Sequence, residues 1–143
     1  MVPPMRTSRT LAAAMTPFPH SVAAEADLAA AEAMMAEHRV HHLPVMSAGV
    51  LVGVLSIRDV QLAKALAGDR AAALTVNALA FKPPVVVDIH TPLGRAAHMM
   101  ANAQLGSVIV TREGKLVGIL TTTDVCRVLG DLLESPTPPD ELA

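Results

Sequence analysis

The chain has 143 residues, 52% of them hydrophobic, 17% charged and 1% aromatic, with two Phe and no Trp or Tyr. Such a balance excludes a disordered polyelectrolyte, because high net charge and scarce apolar residues are what keep a chain from burying a core. A formal charge of −2 and the absence of aromatic stacking platforms argue against a nucleic-acid partner, and the single cysteine, Cys126, permits no disulfide within the chain, which fits a reducing, cytoplasmic setting.

At the N-terminus, Arg6 and Arg9 precede an apolar stretch at 11–15 that runs straight into Thr16-Pro17-Phe18-Pro19. It is shorter than the apolar region of a secretory signal, and no run in the chain nears the roughly 18 apolar residues that cross a bilayer. Neither export nor membrane insertion is expected. Thr10 is a candidate cap for a short helical turn over 11–15. A short strand follows at 20–22, then a helix over 26–39 rich in Ala and Met. Two β-branched runs, 43–46 and 51–56, flank a turn containing Gly49 and read as a hairpin. A second helix over 57–66 ends near a polar break containing Gly68, Asp69 and Arg70. The same order then repeats: a turn over 76–80 with Thr75 as candidate cap, a strand at 85–88, a helix over 92–104 with Thr91 as cap and Pro92 at its first position, a hairpin of 107–111 with 116–121, and a helix over 122–133.

The repetition is in the letters as well as the pattern. Offset by about 65 residues, the two halves align without a gap, with about 17 identities over about 50 positions. The strongest match pairs Gly49 to Val60 with Gly114 to Val125. Repeats are therefore placed at 8–68 and 73–133, with a Pro-rich, acidic and disordered tail at 134–143. A unit of about 60 residues buries too little surface to stand comfortably alone. Its central strands are apolar at nearly every position, so both faces of each sheet are expected to be covered, one by the unit's own helices and one by the sister sheet. The fold class is α/β in composition (α+β), with pseudo-twofold symmetry and two related clefts.

Each copy carries Gly, two apolar residues, Ser or Thr, two residues and Asp: Gly53 to Asp59 and Gly118 to Asp124. Ser56 and Thr121 fall where a strand enters a helix, so they suit helix capping, with Asp59 and Asp124 complementing the helix dipole. The same geometry suits a nucleotide, with phosphate at free backbone N–H groups and ribose hydroxyls on the carboxylate.

These features resemble a tandem pair of cystathionine beta-synthase (CBS) domains, a Bateman module. The resemblance is carried by Met15-Thr16-Pro17, by 39–45 (Arg-Val-His-His-Leu-Pro-Val), and by the two Gly-to-Asp motifs. It covers about Thr10 to Leu133. The resemblance implies a β-α-β-β-α unit, clefts that bind AMP, ADP, ATP or S-adenosylmethionine, and homodimers shaped as flat discs. Carried over by position, Asp59 and Asp124 take the ribose role, Ser56 and Thr121 the neighbouring hydroxyl role, and Arg58 and Thr123 the phosphate side. The adenine surface corresponds to Thr16, His20, Val22, Leu43, Pro44 and Val45 in the first copy, and to Lys82, Val85, Val87, Val108, Ile109 and Val110 in the second. His41 and His42 stand where relatives carry a basic pair; the second copy has Gly106 and Ser107 there, Ile109 in place of Pro44, and Ala80-Phe81-Lys82 in place of Met-Thr-Pro. With Arg39, His41, His42 and Arg58 all in the first copy, one phosphate-competent cleft and one weaker or differently selective cleft are expected. With no Trp or Tyr, adenine would lie between aliphatic and backbone surfaces at Val22, Val45, Val87 and Val110.

Other residues have plainer readings. His38, His41 and His42 cluster near Glu37, but adjacent strand residues point to opposite faces, so convergence on a metal is not expected. Cys126 reads as a small buried side chain, and Met34, Met35, Met99 and Met100 as core filler. No catalytic triad, acid–base pair, P-loop or full metal set is visible, so no enzyme activity and no required cofactor are expected. The function implied is a regulatory module acting on a partner protein in trans; a structural or dimerisation protein with vestigial pockets is the alternative.

Overall fold

The computed structural model describes residues 9–79 and 83–134. Lys82, with Ala80 and Phe81, lies outside the described residues, as does the expected tail beyond Glu134. In chain order the elements are α1 (Leu11–Ala14), β1 (Thr16–Pro17), β2 (Val22–Ala23), α2 (Leu28–His38), β3 (His42–Ser47), β4 (Val50–Ser56), α3 (Ile57–Ala67), β5 (Val86–Asp88), α4 (Leu93–Ala103), β6 (Ser107–Arg112), β7 (Lys115–Thr121) and α5 (Thr122–Glu134). Two 3₁₀ segments, Gly68–Ala73 and Val76–Ala78, join the halves, so the expected polar break and helical turn are both tighter than an α-helix.

The duplication is exact at the level of topology. In each copy a short strand pairs in parallel with the first hairpin strand across an intervening helix, and the hairpin is antiparallel. Both hairpins close on two residues with positive φ, Ala48-Gly49 and Glu113-Gly114, the turn whose twist matches that of the strands. Both carry a bulge at the same place, Val45/Met46 and Val110/Thr111. Both crossover helices end on a left-handed residue, Arg39 and Gln104.

Local signals held unevenly. Thr10 caps α1 through its hydroxyl, which accepts the Ala13 amide at 3.1 Å. Thr75 makes no such bond, and Pro92 rather than Thr91 occupies the capping position of α4, again without a side-chain bond. A proline there serves because it pre-sets the backbone angle and has no N–H to satisfy.

Chain continuity groups α1 and β1 with the first copy, but packing groups them with the second. β1 pairs with β7, so the second sheet has four strands in the order β1-β7-β6-β5, against three, β2-β3-β4, in the first. Leu11 is buried with Val87, Ala96, Met100, Val108, Val110 and Leu120. Met15 lies against Gly118, where any Cβ would collide with its side chain. In the reciprocal arrangement, Ala71 and Val76 are buried in the first core with Val22, Leu28, Met35, Leu43, Val45, Leu55 and Val60. Hydrogen bonds fasten this link: the Leu28 amide donates to the Leu74 carbonyl at 2.7 Å, and those of Val76 and Asn77 donate to Ala26 and Ala24.

Strand alternation explains the third buried layer. Leu43 and Val45, like Val108 and Val110, face their own helices, while Pro44 and Ile109 between them turn the other way and are fully buried too. Both faces of each sheet are thus covered, as the sheet-to-sheet arrangement requires. His42 from the first copy fits over Gly106 of the second, where a Cβ would stand 2.8 Å from Nε2.

Candidate functional site

The two repeated acids are built identically and finished differently. At the β4–α3 junction, Ser56 and Asp59 form a reciprocal capping box: the Ser56 amide donates to Asp59 Oδ2 at 2.8 Å, and the Asp59 amide donates to Ser56 Oγ at 3.2 Å. At the β7–α5 junction the Thr121 amide donates to Asp124 Oδ2 at 2.9 Å, and the Asp124 amide donates to Thr121 Oγ1 at 3.2 Å. Capping and ligand binding are compatible, because each box engages one carboxylate oxygen and leaves the other.

That second oxygen distinguishes the copies. Asp124 is 4% exposed, and its Oδ1 accepts from Arg127 Nη1 at 3.2 Å and, more distantly, from Thr16 Oγ1 at 3.4 Å. Asp59 is only half-buried, and among the described residues only its Oδ2 is engaged. The residue equivalent to Arg127 is Leu62, which is exposed. Beside Asp59, α3 and the 74–79 segment enclose a groove of about 340 Å³ lined by Leu62, Ala63, Leu66, Leu74 and Leu79. Sequence reasoning did not single out Arg127 or this groove. The signal for Arg127 was its position three residues after Asp124, on the same helix face.

The remaining expected residues fall into three groups. Val22, Leu43, Val45, Val87, Val108 and Val110 are buried in the two cores, and Pro44 and Ile109 are fully buried on the opposite strand faces, so the side chains of all eight are spent on packing. Val85 is partly buried against the second core. Thr16, His20, His41, Arg58 and Thr123 are exposed. Thr16, expected at the first copy's adenine surface, instead meets Asp124 of the second.

Among the histidines, His42 is held below its ordinary pKa by burial and by neighbouring His41, with Asp59 opposing. A neutral His42 is a hydrogen-bonding group rather than a phosphate counterion at neutral pH. His38 stacks on His20, ring centroids 3.5 Å apart and 11° from parallel, rather than converging with His41 and His42. Among the described residues no three His, Cys, Asp or Glu side chains are placed to hold a metal. Cys126 is exposed, contrary to its expected burial: α5 turns this position to solvent while Asp124 and Val125 face inward. No helix among the described residues is long and apolar enough to cross a membrane.

The CBS domain profile matches residues 11–65 and 76–131, and the chain belongs to the CBS domain family. It is 31% identical over 102 residues to an uncharacterized 33.4 kDa protein in the ribosomal RNA operon of Thermofilum pendens; the match takes in 64% of this chain and spans about a third, 34%, of that relative. Among solved structures it is similar to CBSX2 in complex with AMP, with a TM-score of 0.72, 29% identity, and coverage of 89% of this chain and all (100%) of the other. The CBS domain pair of protein MJ0100, solved with S-adenosyl-L-methionine and 5-methylthioadenosine, matches with a TM-score of 0.72 at 23% identity over 85% of this chain and all (100%) of the other, a likeness of fold.

Proposed function

We propose that the chain is a regulatory module that holds an adenosine derivative at Asp59 and passes the resulting cleft closure to a partner protein in trans. The observation that carries this reading is the half-engaged carboxylate of Asp59 at the rim of an apolar groove. Its Oδ1 is free to accept from a ribose hydroxyl, while the leucines provide the aliphatic surface that adenine needs in a chain without Trp or Tyr. Arg58 and His41, both exposed nearby, supply donors for phosphate. At Asp124 the guanidinium of Arg127 already occupies the corresponding oxygen, so this cleft is the weaker or differently selective one. The AMP complex of CBSX2 supports the ligand class, and S-adenosylmethionine, ADP and ATP are the other candidates. Ligand binding that favours one of two states is what would bias a partner. The leucines left exposed on α5, Leu129, Leu132 and Leu133, suit the helix-mediated homodimer that forms a disc.

Thermal unfolding with AMP, ADP, ATP and S-adenosylmethionine tests the reading. A ligand at about 100 times its Kd adds about 2.7 kcal/mol, a shift of several degrees. Asp59→Ala is expected to abolish that shift and Asp124→Ala to leave most of it. A flat response to all four ligands overturns the proposal and returns the structural, dimerising role. Because the chain has no Trp or Tyr, an adenine absorbance band in purified protein would itself report a retained ligand.

A further inference from the structure

The end of the second sheet farthest from Asp124 has a cavity of its own. β6 starts at Ser107, paired with Thr121 beside the acid, and finishes at Arg112, paired with Lys115 at the hairpin turn. Near that far end, α1, the 89–92 segment and the first turn of α4 enclose about 500 Å³. Arg9, Arg112 and His90 line it together with apolar Leu11, Ile89 and Leu93.

The charges at this cavity are unevenly neutralised. Arg112 forms no ion pair among the described residues. Arg9 meets Asp131 only at 3.8 Å, with both side chains well exposed, a pairing worth little in water and easily exchanged. A second acid, Asp88, feels the charge of Arg112, but its carboxylate is already engaged by His90, accepting from the backbone amide at 2.8 Å and bonding the ring Nδ1 at 2.9 Å.

The duplication supplies an internal control. At the equivalent positions the first copy has Leu74 for Arg9, Glu25 for His90 and Ser47 for Arg112. There the link is annealed onto the helix start by the Leu28–Leu74 hydrogen bond, and Ser47 donates to Glu25 at 3.1 Å. The scaffold therefore works with this place closed and acidic. The two guanidiniums are found only at the second copy's version of this place, where they are not needed by the apolar core beneath them, made of Leu11 with Ile89 and Leu93.

We propose that this cavity binds a small phosphate monoester, with Arg9 and Arg112 clamping the phosphate and the partly buried Ile89 and Leu93 covering the organic portion. Guanidinium forks match phosphate oxygens in geometry and remain charged at all physiological pH, which is why two of them outweigh the loose pairing with Asp131. The cavity volume exceeds that of a phosphate alone, so a compact organic group is expected to add affinity.

The test is a two-dimensional amide NMR titration of the full chain with inorganic phosphate and, separately, ribose 5-phosphate, at constant ionic strength. Saturable shifts are expected at the Leu93, Gly94 and Arg112 amides, with ribose 5-phosphate binding several-fold more tightly than phosphate. Arg112→Gln is expected to weaken binding at these amides at least tenfold and Arg9→Gln several-fold, each with an otherwise unchanged spectrum. The proposal is overturned by shifts that chloride reproduces, by shifts centred on Ser56 to Asp59, by equal affinity for the two probes, or by retained affinity in Arg112→Gln. Shifts centred on Ser56 to Asp59 would place the probe at the ribose-binding acid and favour the adenosyl reading there; the other three outcomes leave that reading untouched.

Discussion

Removing the two repeated carboxylates one at a time separates their structural from their binding roles. In Asp124→Ala, the Thr121 amide and hydroxyl lose an acceptor at 2.9 and 3.0 Å in a buried setting. Losing the cap costs about 1 kcal/mol, and losing the hydroxyl's hydrogen bond about as much again. The Arg127 side chain is 64% exposed and regains water, so its bond adds about 0–1 kcal/mol. The sum is about 2–3 kcal/mol. Asp59→Ala forfeits only the bond to the Ser56 amide, about 1 kcal/mol. Urea unfolding at neutral pH measures both; with a slope of about 2 kcal/mol/M, the midpoints should fall by about 1–1.5 M and about 0.5 M respectively. Equal losses, or a larger loss at Asp59, would refute the view that Asp124 is the structurally committed acid.

Two further predictions follow from burial. His42 resists protonation in the folded chain, whereas the unfolded histidine accepts a proton near its ordinary value of about 6.5. Below that pH the unfolded state binds more protons, so stability falls as the solution is acidified through this value and levels off below the folded pKa; His42→Gln should flatten this part of the profile in pH-dependent urea unfolding. Leu11→Ala empties a fully buried position and should cost about 3 kcal/mol. Hydrogen exchange should show the lost protection in β6 and β7, not in β3 and β4; the reverse pattern would contradict the exchange of segments.

The sequence carried the repeat, the hairpins, the Ser56 and Thr121 helix caps and the family because these are local or periodic signals. Val50 to Ser56 and Lys115 to Thr121 needed only their own residues to be read as strands. What was hidden depended on distance. Nothing near Thr16 announces a partner 108 residues away, and a two-residue strand such as β1 exists only because β7 supplies its hydrogen bonds. Thr75 shows the limit of capping rules: its position matches that of Thr10, but the link it sits in is held by Ala24, Ala26 and Leu74 instead. Cys126 was misplaced because small size suggested burial, whereas helix phase decides which side faces inward.

The exchanged lead-in segments also dictate an order of assembly. The buried residues of the first core all lie at or before Val76, with Leu79 packing against them just beyond, so this core has its own chain in hand before the second copy is made. α1 and β1, made earliest, must wait for β7 and α5 before they have anywhere to dock. Until then Leu11 and Met15 remain exposed on the nascent chain, and a contact of such sequence separation is entropically slow to form. Completion of the second copy is therefore what gives α1 and β1 their docking surface, and truncation anywhere before β7 leaves Leu11 and Met15 without the residues they pack against.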